Sequence, residues 1–432
     1  MAEIRPFKSW RYHPNYSGEM SRLTAPLFDV VTTQQLAELY DNPMNCIHLS
    51  VPAGGAKEAA LTLKKWKDQK VLAHHSLPAI YPYYQYFRLP GDTSDRCRKG
   101  FICNIKVHDW EDGVILRHEN TIPGSVGDRF DILEETNFQV SPTHGLYTDE
   151  SLSVEDQMDE SMQNPLYVHT SEQGVTDKIS IIQDHLAIRK IMTVLQDKKI
   201  ILADGHHRYE ASLRYAREKG LSTDKFLPHE SHLMWLTNTA SSDLTILPTH
   251  RMIRYIDNFD EAEFLKKIES DFEVVPKEEF NELITGQDQG RPTFRLLTGT
   301  KELTIRLKEH RWNTNPWPFP KAILKLDLTV LHYFIIEKLL GIPGKDQRGS
   351  EQLLFERDEQ RCRAALKEGS VQIAILTHAV SISTVTEVCA SGFTLPQKST
   401  YFYPKVTSGF VFSSLLPEES RIPAYANYPE SI

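Results

Sequence analysis

The stretch ILADGHHRYEASLRY, residues 201–215, constrains the fold more than any other part of the chain. An apolar run ends at Asp204, Gly205 follows, and a helical pattern starts at once. A buried strand that runs straight into a helix leaves the N–H groups of the first helical turn without intrahelical partners. They sit at the positive end of the helix dipole, roughly half a charge, where an anion such as a phosphate fits. Gly205 permits close approach of the backbone, and Arg208 can fork onto phosphate oxygens. Asp204 offers oxygen to a hard cation such as magnesium. The plainer reading makes Asp204 an N-cap and gives His206 and His207 structural hydrogen bonds. Zinc is disfavoured, because adjacent histidines rarely share one metal and there is no HExxH motif or cysteine pair. His118 and His144 are the residues from elsewhere that a zinc cluster would need.

The flanking pattern predicts mixed α and β packing. Residues 184–197 (DHLAIRKIMTVLQD) predict a helix capped by Asp184, with Leu186, Ile191, Val194 and Leu195 as its apolar positions. KKIILA predicts a buried strand, and 207–219 a helix with Tyr209, Leu213 and Ala216 inward. Upstream, TTQQLAELYDNP predicts a short helix capped by Thr32 or Thr33 and stopped at Asn42-Pro43. LTLKKWKDQKVL (61–72) predicts another, with Leu61, Leu63, Trp66 and Leu72 on or near one face. Between 79 and 117, AIYPYYQYFRL, GFICNIKVHDW and DGVILRHE read as strands. The acidic stretch 150–175 reads as an exposed excursion or a surface helix. Beyond about 250 the pattern restarts, with NFDEAEFLKKIES, LDLTVLHYFIIEKLLG and STVTEVCASG as helices and TFRLLTG, ELTIRLKE and VQIAILT as strands. The fold class expected is α+β, with domains over 1–254 and 255–432, although no Pro/Gly/Ser linker marks the boundary.

Charge and cysteine content narrow the partners. The 432 residues carry 49 Lys plus Arg against 58 Asp plus Glu, a net charge of −9. That balance argues against a general nucleic-acid or anionic-membrane surface, and no run approaches 18 apolar residues. The five cysteines are scattered and odd in number, as suits free thiols in a reducing compartment. A soluble, cytoplasmic protein is expected.

Further candidates lie outside the junction. GVILRHENTIPGSVGDRF (113–130) ends a strand at His118-Glu119 and continues through a glycine-bearing loop to Asp128-Arg129. A carboxylate at a strand end facing a pocket is a candidate general base, worth roughly 10² to 10⁴ in rate. Its alternative is a solvated strand terminus. LPQKSTYFYPKVTSGFVF (395–412) carries Lys398 and Lys405, either on a loop that closes on a phosphate or as surface lysines of an edge strand. ILPTHRMI (246–253) places His250 and Arg251 after an apolar strand, and IRPFKSWRY puts Arg5, Lys8 and Arg11 near the start.

In order, the segments IRPFKSWRY, APLFDVV, GVILRHENT through DRFDILEETNFQVSPTHGLY, ILADGHHRYEASLRY, ILPTHR and LPQKSTYFYPKVTSGFVF form a series that resembles the bacterial family known as domain of unknown function 1015. The pair HE then DGHHR is also similar to free serine kinases, which share a fold with ParB-type nucleotide-binding domains and sulfiredoxin. This resemblance implies a ParB/sulfiredoxin-like core. It also implies phosphoryl transfer from ATP or ADP, with Mg2+, to the hydroxyl of free L-serine or a similar small polar metabolite. Glu119 matches the residue that takes the hydroxyl proton, with His118 beside it. Asp204, Gly205, His206, His207 and Arg208 match the loop that holds the phosphates, Asp204 and His206 lying next to the transferring group. The resemblance assigns no role to Lys398, Lys405, His250 or Arg251. They are expected, with Arg129, to support the site because phosphoryl transfer needs positive charge around the equatorial oxygens. Three departures stand out: Leu27-Phe28 where the family has Pro-Tyr, Arg117 where a proline usually precedes His-Glu, and the long insertion 150–180. An acceptor other than serine therefore stays open, as do a ParB-like nucleotide switch and a metal-dependent hydrolase. The expected partners are a nucleotide and a small hydroxyl metabolite, with a homodimer left open.

Overall fold

The computed structural model describes residues 1–27, 31–89, 92–121, 123–222, 225–282, 290–396 and 398–422. Phe28, one of the departures in the APLFDVV segment, lies outside them. The fold is α+β. The chain leaves its first compact unit after Leu244, builds a second over Thr245–Tyr403, and returns to the first at Pro404. The division expected at 254/255 therefore moves to 244/245, and the segment from 404 belongs with the N-terminal unit. The second unit is closed at its own ends: Thr245–Leu247 pairs antiparallel with Tyr401–Tyr403. Ends that meet in this way are what allow one unit to be inserted into another.

In the first unit the sheet is built from β1 (Ile4–Arg5), β2 (Tyr81–Phe87), β3 (Arg96–Lys106), β4 (Ile115–Arg117), β5 (Thr143–Tyr147), β6 (Tyr167–Thr170), β7 (Thr176–Ile179), β8 (Ile200–Asp204) and β9 (Ser231–Asn238). Their order is β4-β8-β5-β9-β3-β2-β7-β6, with β1 added to β3. β4 runs parallel to β8 and β5 parallel to β9, and the other pairs are antiparallel. Alternate residues of β9 feed two hydrophobic clusters, Leu233 and Trp235 one, Met234 and Leu236 the other. Both faces are thus covered, which is why these strands read as unbroken apolar runs.

The helices bear out most of the periodicity. Thr32 caps Thr33–Asp41, and Asp184 caps α3 (His185–Leu195). α4 (His206–Lys219) buries Tyr209, Leu213 and Ala216. α2 spans Pro123–Thr136. The helix expected over 61–72 is instead α1, Ala56–Asp68. It stops because Lys70 adopts φ 56° and the Val71 N–H turns back to the Trp66 carbonyl, a closure that frees Leu72 to start a strand. Leu61 and Leu186, expected inward, are 71% and 72% exposed. The 150–175 stretch is more than an excursion. Its helix Glu155–Ser161 buries Met158, and the chain after it supplies β6 and β7 to the sheet.

The second unit is an antiparallel six-stranded sheet. It includes the expected strands Thr293–Thr298, Glu302–Leu307 and Ile373–Leu376, and helices Glu261–Ile268 and Ile382–Ala390. LDLTVLHYFIIEKLLG starts as an α-helix at Asp327 and widens into a π-helix over Leu331–Glu337, burying Leu331, Phe334 and Ile335. Among the described residues, no helix is long and apolar enough to cross a membrane.

Gly145 shows how tightly the sheet that carries the junction is packed. A Cβ built there would lie 2.5 Å from the Met234 sulfur and 2.8 Å from Ile200 Cγ2. Gly145→Ala should destabilise by about 1–3 kcal/mol through overpacking. Denaturant unfolding followed by fluorescence measures this, and an unchanged midpoint would mean that β5 and β8 can spread.

Candidate functional site

Two parallel strands deliver the two main motifs to one edge of the sheet. Leu202 of β8 is the register partner of Arg117 of β4, so His118-Glu119 and Asp204-Gly205 leave the sheet side by side at their carboxyl ends. His118 is fully buried, its Nδ1 3.0 Å from the Leu202 carbonyl, and its ring meets that of His206 edge-on at 4.8 Å. Burial drives its pKa down to about 4 against the opposing bond to Leu202, leaving the imidazole neutral at pH 7. Glu119 follows it, half-buried.

The turn into α4 demands a glycine. Gly205 sits at φ 92°, and an added Cβ would meet Thr143 Cγ2 at 2.5 Å. Gly205 is also the N-cap, and no side chain caps the helix. The reading of Asp204 as an N-cap is therefore corrected: a left-handed cap residue comes between it and the helix, and its carboxylate is turned elsewhere. Oδ1 accepts from the Lys405 ammonium, and Oδ2 lies 3.2 Å from Arg208 Nη2. The Asp204 side chain is 15% exposed and that of Lys405 10%. Burial would raise the Asp204 pKa, but Lys405 and Arg208 together override it and hold the carboxyl well below its usual range. Two cations thus face one anion at an uncapped helix N-terminus. His206, 8% exposed, adds a buried Nε2 with no hydrogen-bond partner among the described residues. Burial and then His118 push its pKa far down, so it too is neutral.

The remaining candidates have definite places. Arg208 also donates from Nη1 to the carbonyls of Ser141, at 3.1 Å, and Pro142, at 2.7 Å. It is held as a fixed charge rather than swinging free to fork. Arg129, on α2, donates to the Ser50 carbonyl and shares with Arg208 a small cleft of about 70 Å3 walled by Leu49, Leu133 and Phe138. His144 is buried against Trp235, stacked at 4.7 Å, with its Nε2 on Thr237 Oγ1. His207 is half-buried at the second position of α4.

His250, Arg251 and Lys398 belong to the second unit. Arg251 is fully buried, with Nε donating to His332 at 3.2 Å and Nη1 to the Thr249 carbonyl. His250 accepts from the Thr377 N–H at 3.2 Å, and burial lowers its pKa to about 4. Lys398 lies over the Phe355 ring at 5.5 Å. The 395–412 loop was expected to act as one piece, but the unit boundary at 403/404 divides it, with Lys405 on the side of Asp204.

The donor set does not fit a magnesium ion held on Asp204. Both its oxygens are committed to cations, and no group of three or more His, Cys, Asp or Glu among the described residues can hold a metal. The same observation leaves the zinc cluster of His118 and His144 unformed.

Fold and site together define an α+β protein whose strand-to-helix junction gathers Lys405 and Arg208 on Asp204 at the N-terminus of α4. The chain belongs to the family described as "Protein of unknown function (DUF1015)", whose model matches residues 4–329. No curated protein matches it. Among solved structures, it is distantly similar to a free serine kinase in complex with AMP (12% identity, TM-score 0.34, covering 67% of this chain and 83% of that one). It is also similar to a conserved hypothetical protein from Pyrococcus furiosus (11%, 0.32, 68% and 89%) and to C-terminally truncated SbnI from Staphylococcus aureus (12%, 0.33, 70% and 84%). Likenesses this remote transfer no activity to the chain.

Two outcomes follow from the geometry. In a double-mutant cycle, Lys405→Met and Asp204→Asn should each destabilise by about 1–3 kcal/mol while the double variant recovers part of the loss. Strict additivity would show that the pair does not interact. Acid should weaken the fold through the buried histidines. Each is neutral when folded but titrates near 6.5 when unfolded, so its contribution is complete above about pH 6.5. For His118 it is lost as pH falls toward about 4, at up to about 1.4 kcal/mol per pH unit. Urea midpoints measured from pH 7 to 4 test this, and a flat profile would exclude it.

Proposed function

We propose that the first unit binds a nucleoside di- or triphosphate and transfers a phosphoryl group to the hydroxyl of a small polar metabolite, free L-serine being the first candidate. The observation that carries this reading is the uncapped N-terminus of α4, with Lys405 and Arg208 gathered at Asp204, standing beside the His118-Glu119 strand end. Phosphate oxygens would occupy the N–H groups of the first turn of α4. Lys405 would stabilise charge on the transferring group as a point charge, and the buried Nε2 of His206 would gain a partner. Glu119, on the neighbouring strand end, would take the acceptor's proton. The chemistry is positioning and electrostatics, with no covalent step on the protein. The resemblance of the HE and DGHHR motifs to those of free serine kinases supports the same assignment.

The test is consumption of ATP and of ADP by the full chain, with and without Mg2+, L-serine and a panel of small hydroxyl compounds. Acceptor-dependent consumption with a phosphorylated product is expected. Glu119→Gln should reduce turnover by about 10² or more while nucleotide affinity stays within about threefold. Turnover at the wild-type rate in that variant would remove Glu119 as the base. Consumption that ignores every acceptor would point instead to a nucleotide-hydrolysing switch.

A further inference from the structure

The first unit holds a second polar assembly that phosphoryl transfer does not use. Arg98, Gln85, Asp177 and His169 are direct cross-strand partners on four neighbouring strands, β3, β2, β7 and β6. Direct partners share a face, so the four side chains form one row across the sheet. Arg98, Gln85 and Asp177 are fully buried. A guanidinium and a carboxylate inside a sheet are unfavourable unless each finds partners, and apolar residues of similar size would stabilise the fold at least as well.

The partners of this row lie on one short piece of chain. Arg98 donates to the carbonyl of Pro404, Gln85 Nε2 donates to that of Lys405 at 3.0 Å, and Thr407 Oγ1 donates to Asp177 at 2.7 Å. The Tyr83 hydroxyl closes the set, donating to Asp177 at 2.7 Å and accepting from the Thr407 N–H at 3.1 Å. Row order and chain order agree. Residue 404 is tied to Arg98, 405 to Gln85 and 407 to Asp177, and the Phe410 ring lies 6.5 Å from that of His169. The strap therefore crosses the strands along the row, and Lys405 reaches from it to Asp204. Apolar contacts alone would hold such a strap but let it slide. Directional bonds at three of its residues set its register, and a slip by one residue would bring Pro404 or Val406 to Asp204 in place of the lysine.

We propose that Asp177, Gln85 and Arg98 are positioning residues that hold the 404–407 strap in the one register that seats the Lys405 ammonium on Asp204, and thereby set the affinity of the site for phosphate. Only the last clause rests on the phosphotransfer reading. The test uses the full chain with Thr407→Val, which keeps the shape of the side chain and removes its bond to Asp177, and Thr407→Ser, which keeps the hydroxyl. The first readout is the rate at which an amine-acylating reagent modifies Lys405, followed by peptide mass spectrometry. Thr407→Val should raise it about fivefold, the equivalent of one hydrogen bond, and Thr407→Ser should restore the wild-type rate. The second is ATP and ADP affinity by calorimetry, which should weaken by a similar factor in Thr407→Val and not change further when Lys405→Met is already present. Gln85→Met, which removes the bond to the Lys405 carbonyl, should behave as Thr407→Val does and serves if that variant folds poorly. A lowered unfolding temperature with unchanged Lys405 reactivity would overturn the proposal and make the row a staple of the fold. If the wild-type protein takes up no nucleotide, the phosphotransfer reading falls, and the labelling result alone decides whether the row positions Lys405.

Discussion

A carboxylate at the end of a buried strand needs its counter-charges, and much of the first unit is arranged to bring them to Asp204. β8 runs through the core, with Ile200 and Leu202 fully buried, so the side chain that ends it cannot retreat into water. Arg208 answers from one turn along the helix that follows. Lys405 answers from 201 residues further on. The helix is a local solution any strand–glycine–helix junction can adopt. The lysine is not local, and the chain must complete the second unit and come back before the charge at Asp204 is balanced.

That distance explains which parts of the sequence were legible. The junction itself, the caps Thr32 and Asp184 and the inward face Tyr209, Leu213, Ala216 are local patterns, and periodicity reads them directly. The row Arg98, Gln85, Asp177, His169 is not legible, because its members become neighbours only through the sheet order β3-β2-β7-β6. Gln85 sits inside an aromatic strand pattern, where a lone polar residue in a buried run was the one available signal. Asp177 lies in the insertion 150–180, just past the acidic stretch, and short strands that add to an existing sheet edge have too few residues to show alternation above such a background. Lys398 and Lys405 looked equivalent for a related reason. They share one motif, and the unit boundary that separates them falls where composition does not change.

His118, His144, His206 and His232 gather at the junction, all buried and all with lowered pKa. From spacing, so many histidines suggest either a metal centre or a cluster of titrating charges. Burial decides against the second, because water is no longer there to solvate imidazolium and the rings stay neutral. Neutral rings have a different use. They fill space next to Asp204 with groups that hydrogen-bond without adding charge, so the charges that count there are those of Asp204, Lys405 and Arg208 with the helix dipole.

The start of α4 departs from the better-capped helices of the chain. Thr32, Asp184, Asp260, Asp358 and Ser381 cap their helices, whereas α4, like α1 after Gly55, starts from a positive-φ glycine with no side-chain cap, and the buried Nε2 of His206 has no partner among the described residues. Each exception alone is a modest destabilisation, about 1 kcal/mol for a missing cap and about 1–3 for an unsatisfied buried group. Both fall within two residues of a carboxylate that already requires two cations. At α4 they coincide with Lys405 and Arg208, so that the helix dipole and the two cations favour the same kind of charge at one place.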